Sequence, residues 1–320
     1  MPPKPSRSQS DMRVLVVGGN GSLGRKLIPC LLAEGHQTVA LDKELGVVRM
    51  IAHPQLSFVQ GGVEEEAAVK EAMAGVETVI HLAWSFSDDP RFLLDHDLRG
   101  HVLLLEAARA QHVSHFIYTS TAVVYGKPLC NPINEDHPLR VLEARKPAYG
   151  IAKQFAEHLT MLAANEDGFS GTVLRFWWAF GTTMAGKHLR DMLKTAAQGH
   201  PIAVPAKAGG SFLCQEDFNR AVLAALKQPM PGGRVFNLAS AYVSWEEVAG
   251  MAIAAADVAA DVQVIPAVEW KGAAFLADAW ELDTRRIRDA LGYSPVRNPA
   301  GVRDALAEAI AKTWENVRSS

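Results

Sequence analysis

The stretch RVLVVGGNGSLGRKL, Arg13 to Leu27, decides how the chain is read: a short β-branched run enters a knot of glycines and leaves it as a basic, leucine-bearing segment. Gly18, Gly21 and Gly24 are spaced G-x-x-G-x-x-G. Such a bend serves a tight turn with unusual φ, a close approach of bare backbone to a pyrophosphate, and a helix whose first N–H groups meet the phosphates. An ordinary glycine-rich turn has the same spacing, so the pattern gains weight only from its neighbours in the chain. The next apolar run, QTVALD, ends in Asp42, about 20 residues beyond the glycines, where a carboxylate accepts both hydroxyls of an adenosine ribose. A carboxylate also opposes a 2′-phosphate, which favours NAD over NADP, although the neighbouring Lys43 is a cation that pulls the other way. Asp42 also reads as a solvated strand end.

The 320 residues are 48% apolar, enough for a substantial core. A net charge of −3, from 32 basic and 35 acidic residues, leaves no electrostatic footprint for nucleic acid or an anionic membrane. Cys30, Cys130 and Cys214 are far apart and form no CxxC or zinc-ligand spacing, so no metal is expected and a reducing, cytoplasmic setting fits. No apolar run approaches the roughly 20 residues of a membrane span. The first eleven residues, MPPKPSRSQSD, lack the hydrophobic segment of a signal peptide and read as a disordered tail.

From Met12 to Arg175, apolar runs (RVLVVG, QTVALD, LSFVQG, TVIHLA, HFIYTS, GTVLRF) alternate with stretches of helical periodicity. This predicts a doubly wound parallel α/β sheet, a Rossmann fold, over residues 12–180. Residues 181–320 have looser rhythm and read mainly as a small substrate-binding domain, with segments of about 212–240 returning to the sheet. Helices are expected at EDFNRAVLAALKQ, Trp245 to Ala256 and Val302 to Val317.

Two further clusters carry chemistry. KPAYGIAKQ places Tyr149 and Lys153 four apart, on one face of a helix, where an ammonium favours the phenolate and so eases proton transfer. FIYTSTAVVYG ends a strand in Thr119, Ser120 and Thr121, hydroxyls able to hold a substrate oxygen, with strand packing as the other reading of Thr119.

With these motifs in this order, the chain resembles the extended short-chain dehydrogenase/reductase family, the NAD-dependent epimerase/dehydratase group that includes UDP-galactose 4-epimerase. The likeness continues through HLA (His81 to Ala83), DLRGHVLLLEAAR, LRFWWAFG and DTRRIRDALGYSP. The resemblance implies Tyr149 as general acid/base, Lys153 as the lysine that lowers its pKa and binds ribose, and Thr121 as the catalytic hydroxyl, with Ser120 in reserve. It implies a pyrophosphate held by Gly18, Asn20, Gly21, Ser22, Leu23 and Gly24. Asp42 and Lys43 would stand at the adenosine ribose, Leu82, Ala83, Trp84 and Thr119 along the cofactor, and Phe176 at its nicotinamide end. It also implies a homodimer through a helix bundle, built from the helix of Leu104 and Leu105 and the helix of Tyr149.

The departures matter for the substrate. Ala122 and Val123 stand where family dehydratases carry an acidic pair. Trp178 and Gly210 replace an asparagine and an arginine that grip a diphosphate, Gly62 replaces an aspartate near the adenine, and Asp97 replaces an asparagine. Trp84, Phe86, Trp177 and Trp178, with Thr121, read as a substrate cleft suited to a partly apolar molecule. Several of these aromatics equally read as core. His188 and His200 are further candidates for the substrate side. The expected activity is NAD-dependent hydride transfer between nicotinamide and a secondary alcohol or ketone of a non-nucleotide substrate. The alternatives are a nucleotide-sugar 4-epimerase, in which tightly bound NAD oxidises the sugar transiently, and a dinucleotide sensor without turnover.

Overall fold

The computed structural model describes residues 12–319, so the tail expected at 1–11 lies outside the described residues. In chain order the strands are β1 (Arg13–Val17), β2 (Gln37–Asp42), β3 (Leu56–Gln60), β4 (Thr78–His81), β5 (His115–Thr121), β6 (Ser170–Phe176), β7 (Trp178–Phe180), β8 (Ile202–Pro205), β9 (Gly209–Cys214), β10 (Gly232–Asn237), β11 (Ala241–Ser244), β12 (Val262–Ile265) and β13 (Ala279–Trp280). The helices are α1 (Gly24–Ala33), α2 (Glu66–Met73), the single turn α3 (Pro90–Phe92), α4 (Arg99–Ala110), α5 (Pro147–Asp167), α6 (Lys187–Ala197), α7 (Gln215–Lys227), α8 (Trp245–Ala256), α9 (Arg285–Leu291) and α10 (Pro299–Arg318).

One sheet of seven strands runs in the order β10-β6-β5-β4-β1-β2-β3 and is parallel at every pairing from β3 to β5. Its inner strands are buried along their length, which is why they appear in the sequence as continuous apolar runs. The strand order reverses at β1, between β2 on one side and β4 on the other. In doubly wound folds that reversal opens the crevice at the carboxyl edge where ligands bind. The Rossmann architecture is the one the glycine knot and the strand–helix alternation predict.

The chain divides into two compact units. The first comprises residues 12–121, 146–175 and 219–236, and its core includes Leu15, Val17, Leu41, Val79, Leu104, Phe116, Tyr118 and Val173. The second comprises residues 122–145, 176–218 and 237–319, with a core around Leu193, Phe212, Trp245 and Leu306. The chain thus enters its second unit at Ala122, well ahead of the boundary expected near residue 180. The return expected over 212–240 is also narrower: β10 joins the large sheet, whereas β9 pairs with β7, β11 and β13 in a smaller one.

One local feature bears on the site. A π-helical turn at Leu93–Leu98 runs directly into α4. The wider turn leaves Asp97 only 6% exposed.

Candidate active site

The glycine knot is built around β1 and the start of α1. Gly18 has φ +85°, and a Cβ there would lie 2.8 Å from the Ala83 nitrogen, so only glycine lets the segment after β4 run against this turn. A Cβ on Gly24 would stand 2.3 Å from the Gly18 carbonyl oxygen, which explains the third glycine by close helix–strand packing. Leu82 and Ala83 both donate their N–H groups to the Val17 carbonyl, at 2.9 and 3.0 Å. No side chain caps the N-terminus of α1 and no acid lies in its first turn, while Gly21 and Ser22 are exposed beside it. These features fit an anion.

At the end of β2, Asp42 accepts N–H groups from Asn20 (2.8 Å) and Glu44 (3.1 Å), which fixes its carboxylate beside the glycine turn with lone pairs to spare for ribose hydroxyls. The Asn20 amide ties down the loop after β2: its Nδ2 donates to the Glu44 carbonyl and its Oδ1 accepts from Val48 N–H. Asn20 therefore shapes the adenosine side with its side chain, and its backbone N–H is already engaged by Asp42. Lys43 is paired with Glu64 at 2.6 Å on the surface of the unit, so a carboxylate of its own chain already faces its charge. A Cβ on Gly62 would collide with Glu64 and Lys43, so this pair fills the space around the glycine that replaces the aspartate.

The second cluster lies at the end of β5. Pro147 opens α5, and Tyr149 and Lys153 come next on one face. Tyr149 donates its backbone N–H to Asp88 Oδ1 at 3.0 Å and its phenol shares a hydrogen bond with Thr121. Lys153 donates to the Thr119 carbonyl at 2.9 Å, and its ammonium lies 4.2 Å from the centroid of Trp84 and 4.8 Å from that of Tyr118. Thr121, Tyr149 and Lys153 are all buried. The Thr119 hydroxyl donates to the His81 carbonyl at 3.0 Å, so this residue serves through its backbone oxygen, and Ser120 Oγ is buried without a hydrogen-bond partner among the described residues.

Burial pushes the Tyr149 phenol up; the hydrogen bond from Thr121 pulls it back down, and the Asp97 charge pushes it up further. Lys153, expected to lower this pKa, stands 6.0 Å from the Tyr149 ring centroid and directs its hydrogen bond elsewhere, so the group that lowers the phenol is Thr121. Burial drags Lys153 itself down to about 7, against the opposing pull of Asp97 and Glu157.

Behind the lysine lies a buried aromatic box. Thr160 Oγ1 donates to the Ala156 carbonyl and so accepts from His101 Nε2 at 3.0 Å. Neutral His101, held down to about 3 chiefly by burial, then accepts from His81 Nδ1 at 3.1 Å. His81 thus belongs to the packing beneath Lys153. Trp84 sits with it, its Nε1 buried and without a hydrogen-bond partner among the described residues. Phe86, by contrast, is 79% exposed and stacks on the Tyr149 ring at 6.0 Å. Asp97, Ser85, Asp88 and Lys146 complete this surround; Asp97 and Lys146 open the stretches DLRGHVLLLEAAR and KPAYGIAKQ, whereas Ser85 and Asp88 belong to none of the motifs. Lys146 Nζ donates to the Phe86 carbonyl.

Within the second unit, Phe176 meets Phe218 edge-on at 6.1 Å. Trp177 packs on Phe212 and Trp245, and its ring occupies the space that any side chain at Gly210 would need. Trp178 stacks on Phe212 and donates Nε1 to the Ala185 carbonyl at 3.0 Å. Both tryptophans therefore take part in an internal aromatic cluster. His188 lies 5.0 Å from the Phe275 ring, and His200 is exposed.

The model of the NAD dependent epimerase/dehydratase family matches residues 14–239. The chain belongs to that family. The UDP-glucose 4-epimerase of Lactobacillus helveticus is 29% identical over 259 residues, covering 72% of this chain and 77% of the relative. A 4-hydroxy-2-methyl-3-oxo-4-farnesyl-3,4-dihydroquinoline-1-oxide ketoreductase of Stigmatella aurantiaca is 32% identical over 193 residues, or 58% of this chain and 56% of the relative. In fold, the chain is similar to the Bordetella bronchiseptica enzyme WbmG, solved in complex with NAD and UDP, with a TM-score of 0.77 at 24% identity over 96% of this chain and 94% of that one. NAD is the cofactor of the epimerase/dehydratase family, and the bare-backbone turn with Asp42 beside it fits that dinucleotide. Among the described residues, no group of His, Cys, Asp and Glu is arranged to hold a metal, and no helix is long and apolar enough to cross a membrane.

Proposed function

We propose that this epimerase/dehydratase-family chain moves hydride between NAD and a carbinol carbon, with Tyr149 moving the proton of the carbinol oxygen. The observation that carries this reading is the hydrogen bond between the Tyr149 phenol and Thr121, one strand end away from the buried ammonium of Lys153. The turn at Gly18 and Gly21, whose own N–H groups bond to the Leu41 and Gly18 carbonyls, would let the pyrophosphate close on the backbone of Ser22, Leu23 and Gly24, Asp42 would hold the adenosine ribose, and Leu82 and Ala83 would flank the cofactor. When bound, NAD supplies the acceptor and donor of hydride. Thr121 orients the substrate oxygen, and Tyr149, protonated at neutral pH by its burial, gives a proton to a carbonyl oxygen in reduction and recovers one from an alcohol in oxidation. Lys153 donates to the Thr119 carbonyl and so holds the end of β5 beside Tyr149.

The substrate reading best supported is a nucleotide sugar epimerised at C4, because the family match covers most of the chain and the Lactobacillus helveticus relative is such an epimerase. Incubation with NAD and UDP-glucose or UDP-N-acetylglucosamine, with the sugar then read by NMR, should yield the C4 epimer. Reduction of apolar ketones by NADH, with no epimer from any nucleotide sugar, would overturn this in favour of a second reading, a reductase of a partly apolar ketone. Two observations favour that second reading: Trp178 and Gly210 stand where polar groups that grip a diphosphate are expected, and the 32% identical relative is a ketoreductase. The sensor reading is the weakest, since the hydroxyl, phenol and ammonium are all assembled.

A homodimer is proposed through α5. Ile151, Phe155 and Leu162 on that helix are about half exposed, and Val102 on α4 is exposed too, whereas Leu104 and Leu105 of α4 are buried in their own core.

A further inference from the structure

We propose, resting on the tyrosine chemistry above, that Asp97 is a positioning residue for the Tyr149–Lys153 pair: carried inward by the π-helical turn, its carboxylate anchors the Trp84–Asp88 segment through Ser85 and supplies the counter-charge of Lys153. Asp97 Oδ1 accepts the Ser85 N–H at 2.9 Å, and Oδ2 accepts the Ser85 hydroxyl. The segment so anchored reaches the reacting pair at three points. Trp84 lies under the Lys153 ammonium, Phe86 stacks on the Tyr149 ring, and Asp88 takes the Tyr149 N–H.

The neighbours of Lys153 set its charge balance. From α5 come Tyr149 and Glu157, from β5 Tyr118, from β4 His81 and from α4 His101. Burial keeps both histidines uncharged and pushes the Tyr118 phenol up, so none of the three offsets an ammonium. Glu157 is gripped by Arg175 through Nε at 2.9 Å and Nη2 at 2.5 Å, and its charge is matched there. Asp97 has no ion-pair partner among the described residues, and both its bonds come from neutral donors. It is the unmatched carboxylate, and its charge opposes the burial that strips Lys153 of its proton.

The test is Asp97→Asn, which keeps the shape and an acceptor for Ser85 but removes the charge. Lysine side-chain NMR of the full chain without substrate, with the Lys153 resonance assigned by Lys153→Met, should show its titration midpoint falling by about one pH unit. The alkaline limb of the kcat profile should move the same way. Ser85→Ala keeps the charge and loosens the segment, so it should raise KM and leave the titration in place. Asp97→Glu should restore it, and keeps the test open if Asp97→Asn fails to fold. An unmoved midpoint in Asp97→Asn, or an equal displacement in Ser85→Ala, would overturn the proposal. Retained turnover in Tyr149→Phe would refute the tyrosine chemistry instead, without touching the lysine titration.

Discussion

Replacing Lys153 by methionine should make the protein more stable, and by an amount that depends on pH. The lysine is 4% exposed, and burial takes its pKa from 10.5 to about 7. That difference is worth about 5 kcal/mol. Below about pH 7 the lysine is charged in both the folded and the unfolded chain, so the folded state bears the whole cost of burying the ammonium. Between about pH 7 and 10.5 the unfolded chain holds a proton that the folded chain has released, and wild-type stability therefore rises with pH. Methionine fills a similar volume and does not titrate. The advantage of Lys153→Met should be largest near pH 6 and shrink by up to about 5 kcal/mol towards pH 10, read from urea midpoints at matched m values. A gap that stays constant across this range would show that the lysine titrates as an ordinary exposed one, and the electrostatic account of the site would fail.

Other perturbations probe the cofactor side and the assembly. Asp42→Ala removes the acceptor of the Asn20 and Glu44 N–H groups, so NAD affinity should fall by about 1–3 kcal/mol and discrimination against NADP should narrow; calorimetry with both cofactors checks it, and an unchanged affinity ratio counts against the placement of Asp42. Gly24→Ala forces a methyl to 2.3 Å from the Gly18 oxygen and should cost about 1–3 kcal/mol of stability, seen as a lower Tm with weaker NAD binding. Phe155→Glu should convert a dimer to a monomer in light scattering, because Phe155 is half exposed on α5.

Much of this molecule is legible in local signals. The runs that form the inner strands β1, β2, β4 and β5 stand out because strands buried on both faces need apolar residues throughout, whereas the edge strand β3 is only partly buried. The start of α8 is legible because Ser244 and Glu247 form a capping box ahead of Trp245. Features set by distant partners are not. The segment 122–145 is held in the second unit by short 3-10 turns, a bridge from Ile133 to Leu282 and side-chain bonds such as those of Tyr125 and Glu135 to Asn237, none of which leaves a periodicity to read. The π-helical turn that buries Asp97 looks like ordinary helix in sequence. Lys43 is ambiguous in sequence because the carboxylate that holds it, Glu64, lies 21 residues away. For the same reason the spacing of Tyr149 and Lys153 tells where both side chains lie but not how each titrates, since burial, Thr121 and Asp97 decide that.

Tyr149 carries the proposed chemistry, and a single comparison tests it. Formation of reduced nicotinamide should be monitored on mixing the protein and NAD with a substrate that it turns over, in the wild type and in Tyr149→Phe, with NAD affinity measured alongside. The variant should bind NAD as the wild type does while the rate of reduction drops roughly 100- to 10,000-fold. Reduction at the wild-type rate in the variant would contradict the account.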